Sequence, residues 1–352
     1  MSGLDQPIVI ANSCYHVGHE RSVRVAEEQG FFQEEGLERH VYERGGLIPG
    51  PWEAVGLARQ MWERGVDIAT AVDVRAAILQ RARREDVFIV GGWRTIHPAK
   101  LIAAKGITRP EQLRGGTTIT REDWGLAQAG IVMALRAFGI GPVDVEWIEG
   151  VMHPELEAQG ADLLRTGQVT FYSANGRDAR ALMSEGYPLV LDTEQFYKAR
   201  GAWPPGKVIV ATRQTIEERA AELGAFLRAN LRGYWFVQDP KNRQYMFDLE
   251  TRLRADIYNG YERQLRMVDT PSESPLREGP MSMGSMVMDG LVPRPALASV
   301  IADLAKYGDL DHSVELDDVL KDAAAIEAYD QLVARGLIDV QAVERWKRTL
   351  AA

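Results

Sequence analysis

Residues 8–20 read Ile8-Val-Ile-Ala-Asn12-Ser-Cys14-Tyr-His16-Val-Gly-His19-Glu20, and this stretch sets the pattern for the chain that follows. Its first residues are an apolar run of strand length, its middle is a polar turn with the only cysteine, and its end starts a helical pattern. A strand, a turn and a helix form the repeating unit of an α/β sheet. The stretch therefore predicts an α/β protein whose first turn lies at the carboxyl end of a strand.

The same alternation continues to about residue 96. Further strands are predicted at 37–42, 66–71 and 87–90, and helices at 21–30, 52–64 and 74–84. This order predicts a mostly parallel sheet covered by helices on both faces. A second block of strands and helices starts near Lys100, and the run 207–212 is expected to return as a strand to the first part. The remaining C-terminal part is mainly helical, with helices predicted at 217–238, 244–259, 296–307 and 323–335.

Composition limits the function classes. A chain of 352 residues with 45% apolar residues can bury a large core and is long enough for two domains. The net charge of −9 argues against nucleic acid or an anionic membrane as the main partner. No apolar run is long enough to predict a membrane span, and no signal-peptide pattern precedes the first strand. A cytoplasmic location is therefore expected, and a single cysteine fits a reducing compartment.

Several phrases of the sequence resemble the alkanesulfonate, taurine and nitrate solute-binding proteins, a branch of the type II periplasmic-binding fold that also contains thiamine pyrimidine synthase. They are Ala26-Glu-Glu-Gln-Gly30-Phe-Phe-Gln-Glu-Glu-Gly36-Leu37, Gly65-Val-Asp67-Ile-Ala69, Thr108-Arg-Pro-Glu-Gln-Leu113-Arg-Gly115, Leu164-Arg-Thr-Gly167-Gln-Val169 and Ala328-Tyr-Asp-Gln-Leu-Val-Ala-Arg-Gly336-Leu. The resemblance implies a two-lobed periplasmic-binding-protein-like fold with a helical C-terminal extension. Lobe 1 would comprise residues 1–96 and 208–352, lobe 2 would comprise 97–207, and a ligand would be held in the cleft between them.

In such sheets, ligands lie beyond the carboxyl ends of strands and at helix N-termini that favour anions. The strand ends of this chain carry aromatic, cationic and hydrogen-bonding side chains, which suit a small anionic ligand with an aromatic or heteroaromatic ring. The predicted substrate-binding residues are Asn12, Ser13, Tyr15, Gly46, Asp73, Arg121, Trp124, Tyr172 and Asn175. In the catalytic hypothesis, Arg75 or Arg121 would hold the anion, and Trp124 and Tyr172 would stack on the ring.

Cys14 has two interpretations. A lone cysteine is commonly a small buried apolar residue. At a helix N-terminus, with His16, His19 or Arg75 near it, its thiolate would be stabilised and could act as a nucleophile. The order Asn12-Ser13-Cys14 is similar to the turn of hydroxybiphenyl sulfinate desulfinase, an enzyme of the same fold with its catalytic cysteine after the first strand. The histidine that this enzyme has after its second strand has no match at 42–46.

These observations leave two hypotheses for the function. The first is a cytoplasmic lyase or hydrolase, of decarboxylase or desulfinase type, with Cys14, His16 and Arg75 as catalytic residues. The alternative is a non-catalytic substrate-binding protein of an ABC-type transporter for an aromatic carboxylate, sulfonate or related anion. No cofactor and no metal are predicted, because the spacings of metal-ligand motifs are missing from the sequence. A homodimer is left open.

Overall fold

The computed structural model describes residues 6–12, 17–43, 57–94, 100–121, 126–150, 154–174, 176–200, 206–258 and 287–351. The chain divides into two compact units. Unit 1 comprises Met1–Thr95, Gly206–Gly260 and Asp269–Ala352, and unit 2 comprises Ile96–Pro205 and Tyr261–Val268. The ligand cleft predicted between two lobes stays a prediction.

The described part alternates strands and helices as far as β10 and is helical after it. Its strands are β1 (Ile8–Asn12), β2 (His40–Glu43), β3 (Ile68–Asp73), β4 (Val87–Arg94), β5 (Lys100–Ala103), β6 (Thr117–Arg121), β7 (Glu146–Gly150), β8 (Phe171–Ala174), β9 (Leu189–Asp192) and β10 (Lys207–Thr212). Its α-helices are α1 (Val17–Glu28), α2 (Phe31–Glu34), α3 (Leu57–Glu63), α4 (Val74–Ala82), α5 (Leu126–Arg136), α6 (Pro154–Arg165), α7 (Gly176–Ser184), α8 (Thr193–Lys198), α9 (Arg213–Glu218), α10 (Ala220–Gln238), α11 (Arg243–Tyr258), α12 (Arg294–Lys306), α13 (Leu316–Val319), α14 (Ala323–Ala334) and α15 (Val340–Ala351). The predicted α/β fold is confirmed.

Unit 1 is built on a five-stranded sheet with the order β2-β1-β3-β10-β4. β1 is parallel to both β2 and β3, whereas β10 is antiparallel to both β3 and β4. Four strands therefore share one direction, as the βαβ alternation predicts, and β10 is reversed. The reversal arises because β10 follows unit 2 in the chain and enters the sheet from the edge where β3 and β4 end.

The core of unit 1 joins the sheet to α1 and α10. Ile8 and Ile10 of β1 and Phe226 of α10 are completely buried in one apolar cluster. α1 and α10 approach so closely that a Cβ on Gly233 would lie 2.0 Å from the carbonyl oxygen of Ser22. Next to this contact, the hydroxyl of Ser22 donates a 2.7 Å hydrogen bond to Asn230. Only glycine fits at the crossing, so this position fixes the distance between the two helices.

Three arginines surround Glu35, which follows α2 directly. Its carboxylate accepts hydrogen bonds from Arg228 at 2.9 Å, from Arg232 at 2.7 Å and from Arg335 at 2.7 Å. The Glu35 side chain is only 2% exposed. Burial alone would raise the pKa of Glu35, but the hydrogen bonds from the three arginines outweigh burial and hold this pKa below its ordinary value. The cluster ties α2 to α10 and to the residue that follows α14.

Unit 2 contains two smaller sheets. β5 lies between β8 and β9 and is antiparallel to both, whereas β6 and β7 form a parallel pair. One apolar cluster includes Leu101, Ile131 and Phe171, and a second includes Ile102 and Tyr172. Successive residues of β5 thus point into different clusters, as the two faces of a strand require.

Candidate functional site

The carboxyl ends of β1 and β3 mark a topological switch point. The two strands are neighbours, but the chain passes from β1 to β2 on one side and from β3 to β4 on the other. In open α/β sheets, such a reversal leaves a crevice outside the carboxyl ends of the two strands, and ligands bind there. We therefore expect a ligand-binding site around the residues that end β1 and β3.

Asn12 ends β1 and lies opposite Thr70 of β3. Both residues are buried, with 0% and 1% of their surface exposed. The hydroxyl of Thr70 donates a 3.2 Å hydrogen bond to the side-chain oxygen of Asn12. A buried polar pair thus lies at the switch point, at the last described pair of residues of β1 and β3.

Asp73 and Arg75 form a buried ion pair at the end of β3. Asp73 is the N-cap of α4, because its carboxylate accepts a 2.9 Å hydrogen bond from the backbone N–H of Arg75. The same carboxylate also binds the guanidinium of Arg75, through Nε at 3.0 Å and through Nη2. Arg75 is completely buried, and the Asp73 side chain is 12% exposed. The structure therefore brings two predicted site residues into contact with each other, and whether either touches a ligand stays a prediction.

Sequence reasoning missed further charged residues near this edge. Lys207 begins the reversed strand β10, lies opposite Asp73 and is partly buried. Glu20 of α1 is completely buried and accepts a 3.3 Å hydrogen bond from the hydroxyl of Tyr42 on β2. Lys207 could be placed here only by knowing that β10 is antiparallel. An acidic residue in the first turn of a helix, as Glu20 is, could have been recognised from the sequence.

Two predicted residues of unit 2 lie in described strands. Tyr172 is 6% exposed. Its ring packs against Gly160 of α6 so closely that a Cβ added to Gly160 would lie 2.2 Å from a ring carbon. The Tyr172 hydroxyl is 3.5 Å from the carboxylate of Asp178. The structure thus places this ring in the core of unit 2. Arg121 ends β6 opposite Gly150 of β7, which puts its backbone at the carboxyl end of a parallel pair.

The other predicted site residues fall outside the described residues. They are Ser13, Cys14, Tyr15, His16, Gly46, Trp124 and Asn175. Because β1 ends at Asn12, Cys14 comes two residues after the carboxyl end of β1 in the sequence. The roles of these residues stay predictions.

The described residues contain no group of three or more His, Cys, Asp or Glu side chains that could hold a metal ion. Within the same ranges, no helix combines the length and the apolar character that crossing a membrane requires.

The family of the chain follows from its sequence. The family model described as NMT1/THI5 like matches residues 21–243, which is more than half of the chain. The chain belongs to the NMT1/THI5-like family. Its matched region includes β3, β10, α4 and therefore the switch-point residues Asp73 and Arg75. No sequence among the curated proteins matches the chain significantly.

Solved structures with the same fold include both binding proteins and an enzyme. The alkanesulfonate-binding protein SsuA from Xanthomonas axonopodis pv. citri, bound to MOPS, has a TM-score of 0.57 and 12% identity, over 90% of this chain and 98% of that one. The periplasmic nitrate-binding protein NrtA from Synechocystis PCC 6803 has a TM-score of 0.60 and 12% identity, over 95% and 91%. The desulfurization enzyme DSZB has a TM-score of 0.56 and 14% identity, over 92% and 99%. At these identities the likeness shows the fold, and it confirms the resemblance drawn from the sequence.

Proposed function

We propose that this protein is a substrate-binding component for a small anion, of the kind that serves an ABC-type transporter. The observation that carries the proposal is the largely buried polar edge at the switch point, where Asn12 ends β1 and Asp73 ends β3 and pairs with Arg75 of α4. Asp73 neutralises Arg75 and caps α4, and together with Lys207 these three charged groups carry a net charge of +1, which favours an anion there. Related structures support the ligand class, since SsuA is bound to MOPS and NrtA is named for nitrate.

Calorimetric titration of the purified protein with MOPS, nitrate, benzoate and biphenyl-2-sulfinate tests the proposal. We expect at least one of these anions to bind with a dissociation constant in the micromolar range, without being converted. Comparison of benzoate with nitrate also tests whether the ligand carries an aromatic ring. If none of the four anions binds at millimolar concentration, the proposal is wrong.

Two lysine variants test the place of binding. Lys207→Gln removes a cation beside Asp73, whereas Lys241→Gln removes one from the surface, where the Lys241 side chain is 78% exposed. We expect Lys207→Gln to weaken binding several-fold, and by less in high salt, because screening reduces the contribution of a charge. Lys241→Gln should bind like the wild type. Equal affinities for both variants would place the anion elsewhere.

A second candidate function is an enzyme that acts on the same anion. It is favoured by the position of Cys14 in the sequence, two residues after β1 ends, and by the desulfurization enzyme among the proteins of this fold. If it is correct, incubation of the wild type with biphenyl-2-sulfinate releases a product detectable by mass spectrometry, and Cys14→Ser abolishes the release but keeps binding. Turnover that survives in Cys14→Ser would exclude the cysteine mechanism.

Location and assembly bear on the choice between the two functions. The cytoplasmic location and a homodimer remain predictions. Fractionation of cells that express the native gene tests the first, and sedimentation of the purified protein tests the second.

A further inference from the structure

The end of β3 contains a β-bulge. β3 and β10 are paired on both sides of Ile209, but Thr70 and Ala71 together face that one residue. The extra residue in β3 is the kind of insertion that bends a strand and redirects the side chains that follow it. The bulge lies two residues before Asp73.

Ala71 has an unusual backbone conformation at the bulge. Its φ is +58°, in the left-handed region, and its side chain is buried with 2% of the residue exposed. Residues with a Cβ are disfavoured there, and bulges of this kind commonly use glycine instead. Such a conformation persists only where the surrounding structure imposes it, and it is frequent where a site has to be held in one shape.

The bulge lies between two differently paired parts of β3. Up to Thr70, which faces Asn12, β3 is paired with β1. After the bulge, Val72 and Asp73 are paired with β10, and the N–H of Val74 donates a 3.0 Å hydrogen bond to the carbonyl of Gly206. Ala71 thus lies between the part of β3 that is paired with β1 and the residues Val72 and Asp73 that lead into α4.

We infer that Ala71 is a positioning residue of the anion site. Its left-handed backbone, held by a buried methyl group, fixes the direction in which β3 ends and so the placement of Asp73 and Arg75 relative to Asn12. Glycine at this position would keep the fold but would give the end of β3 more freedom, because glycine adopts positive and negative φ about equally readily. A site held less firmly binds its ligand less tightly, since ordering it then costs free energy on binding. The affinity part of this inference rests on the proposed function.

The test compares Ala71→Gly with Arg84→Gly. Arg84 also has a left-handed backbone, with φ +65°, but it is exposed and lies beyond the C-terminal end of α4, away from Asp73. Both changes remove the strain of a Cβ at positive φ, and both raise the conformational entropy of the unfolded chain by a similar amount. Neither should therefore lower the melting temperature by more than about 2 °C. A fall in melting temperature in Ala71→Gly alone would mean that alanine is required for folding rather than for positioning, and would overturn the inference.

The first readout is the affinity for whichever of MOPS, nitrate, benzoate or biphenyl-2-sulfinate binds the wild type. We expect Ala71→Gly to bind it about tenfold more weakly and Arg84→Gly to bind it as the wild type does. Equal affinity of Ala71→Gly and the wild type would overturn the inference.

The second readout needs no ligand. Hydrogen exchange should be several-fold faster in Ala71→Gly at the amides of Val74 and Arg75, which are bonded to Gly206 and Asp73 in the wild type. Arg84→Gly should leave those two amides unchanged. If no anion binds the wild type, the proposed function fails, and hydrogen exchange alone decides the inference: unchanged exchange in Ala71→Gly would refute it.

Discussion

Replacing Glu35 by glutamine removes the charge at the centre of the three-arginine cluster. Arg228 and Arg232 are largely buried, with 17% and 13% of their side chains exposed, whereas Arg335 is 43% exposed. Breaking a buried ion pair by removing one partner costs about 3–5 kcal/mol, but an exposed pair contributes at most about 1 kcal/mol. Because glutamine still accepts one hydrogen bond and Arg335 counts as exposed, we expect a loss of about 3 kcal/mol in the free energy of unfolding.

The matched control is Glu34→Gln. Glu34 precedes Glu35 in the chain and pairs with the same Arg232, but its side chain is 57% exposed. Its loss should cost less than about 0.5 kcal/mol. Urea unfolding at pH 7, followed by tryptophan fluorescence and by hydrogen exchange in α10, measures both values. A cost for Glu35→Gln that does not exceed that of Glu34→Gln would refute the reasoning.

The same variant predicts a pH dependence. The pKa of Glu35 is lowered in the folded state, so its contribution is complete above the unfolded value of about 4.5 and is lost as the pH falls through the folded pKa. The difference in stability between the wild type and Glu35→Gln should therefore be constant from pH 7 to about pH 5 and should shrink at lower pH. A difference in stability between the two proteins that grows as the pH falls would contradict this prediction.

Further predictions concern the packing and the polar contacts of unit 1. Gly233→Ala places a methyl group 2.0 Å from the carbonyl oxygen of Ser22 and should lower the free energy of unfolding by more than about 2 kcal/mol. Gly224 lies in the same helix, but a Cβ there would meet only the flexible side chain of Arg228. Gly224→Ala should therefore be neutral or should stabilise the protein by up to about 1 kcal/mol. Thermal unfolding of the two variants checks this, and equal melting temperatures would contradict it. Asp67→Asn weakens an ion pair with Arg219 at 3.1 Å, where Arg219 is 7% exposed, and should cost about 2 kcal/mol by the same measurement. A cost below about 0.5 kcal/mol would show that this pair behaves as a surface pair.

The periodicity of apolar residues along the sequence predicts much of the fold. Strand 207–212 and the start of α4 at Val74 agree with the structure, because each is a clear apolar run or helical pattern next to a polar boundary. The predicted helix 217–238 is instead two helices, α9 and α10. The chain leaves helical geometry at Arg219, whose φ of −123° is not helical, and Thr212 caps α9 by accepting a hydrogen bond from the N–H of Thr215. Helical spacing continues across the break, so periodicity alone does not reveal it.

Contacts between distant parts of the chain could not be predicted in this way. Glu35 was part of a recognisable phrase, but its partner Arg335 lies 300 residues further along. The sequence predicts Asp73 as a substrate-binding residue and Arg75 as a catalytic residue. It does not predict their ion pair, because the pair depends on Asp73 being the N-cap of α4. The left-handed φ of Ala71 has no sequence signal, because glycine and not alanine marks such positions.

The reversed strand β10 has a consequence for synthesis on the ribosome. β3 and β4 are not neighbours in the sheet, and the strand that joins them begins at Lys207, after the inserted segment Ile96–Pro205 has been made. The N-terminal 95 residues can therefore form βα units early, but β4 stays separated from the other three strands until about 110 more residues have emerged and β10 can pair between β3 and β4. The segment Ile96–Pro205, which is all of unit 2 except Tyr261–Val268, has been made before this happens. On the nascent chain this inserted segment can therefore fold before the sheet of unit 1 is complete.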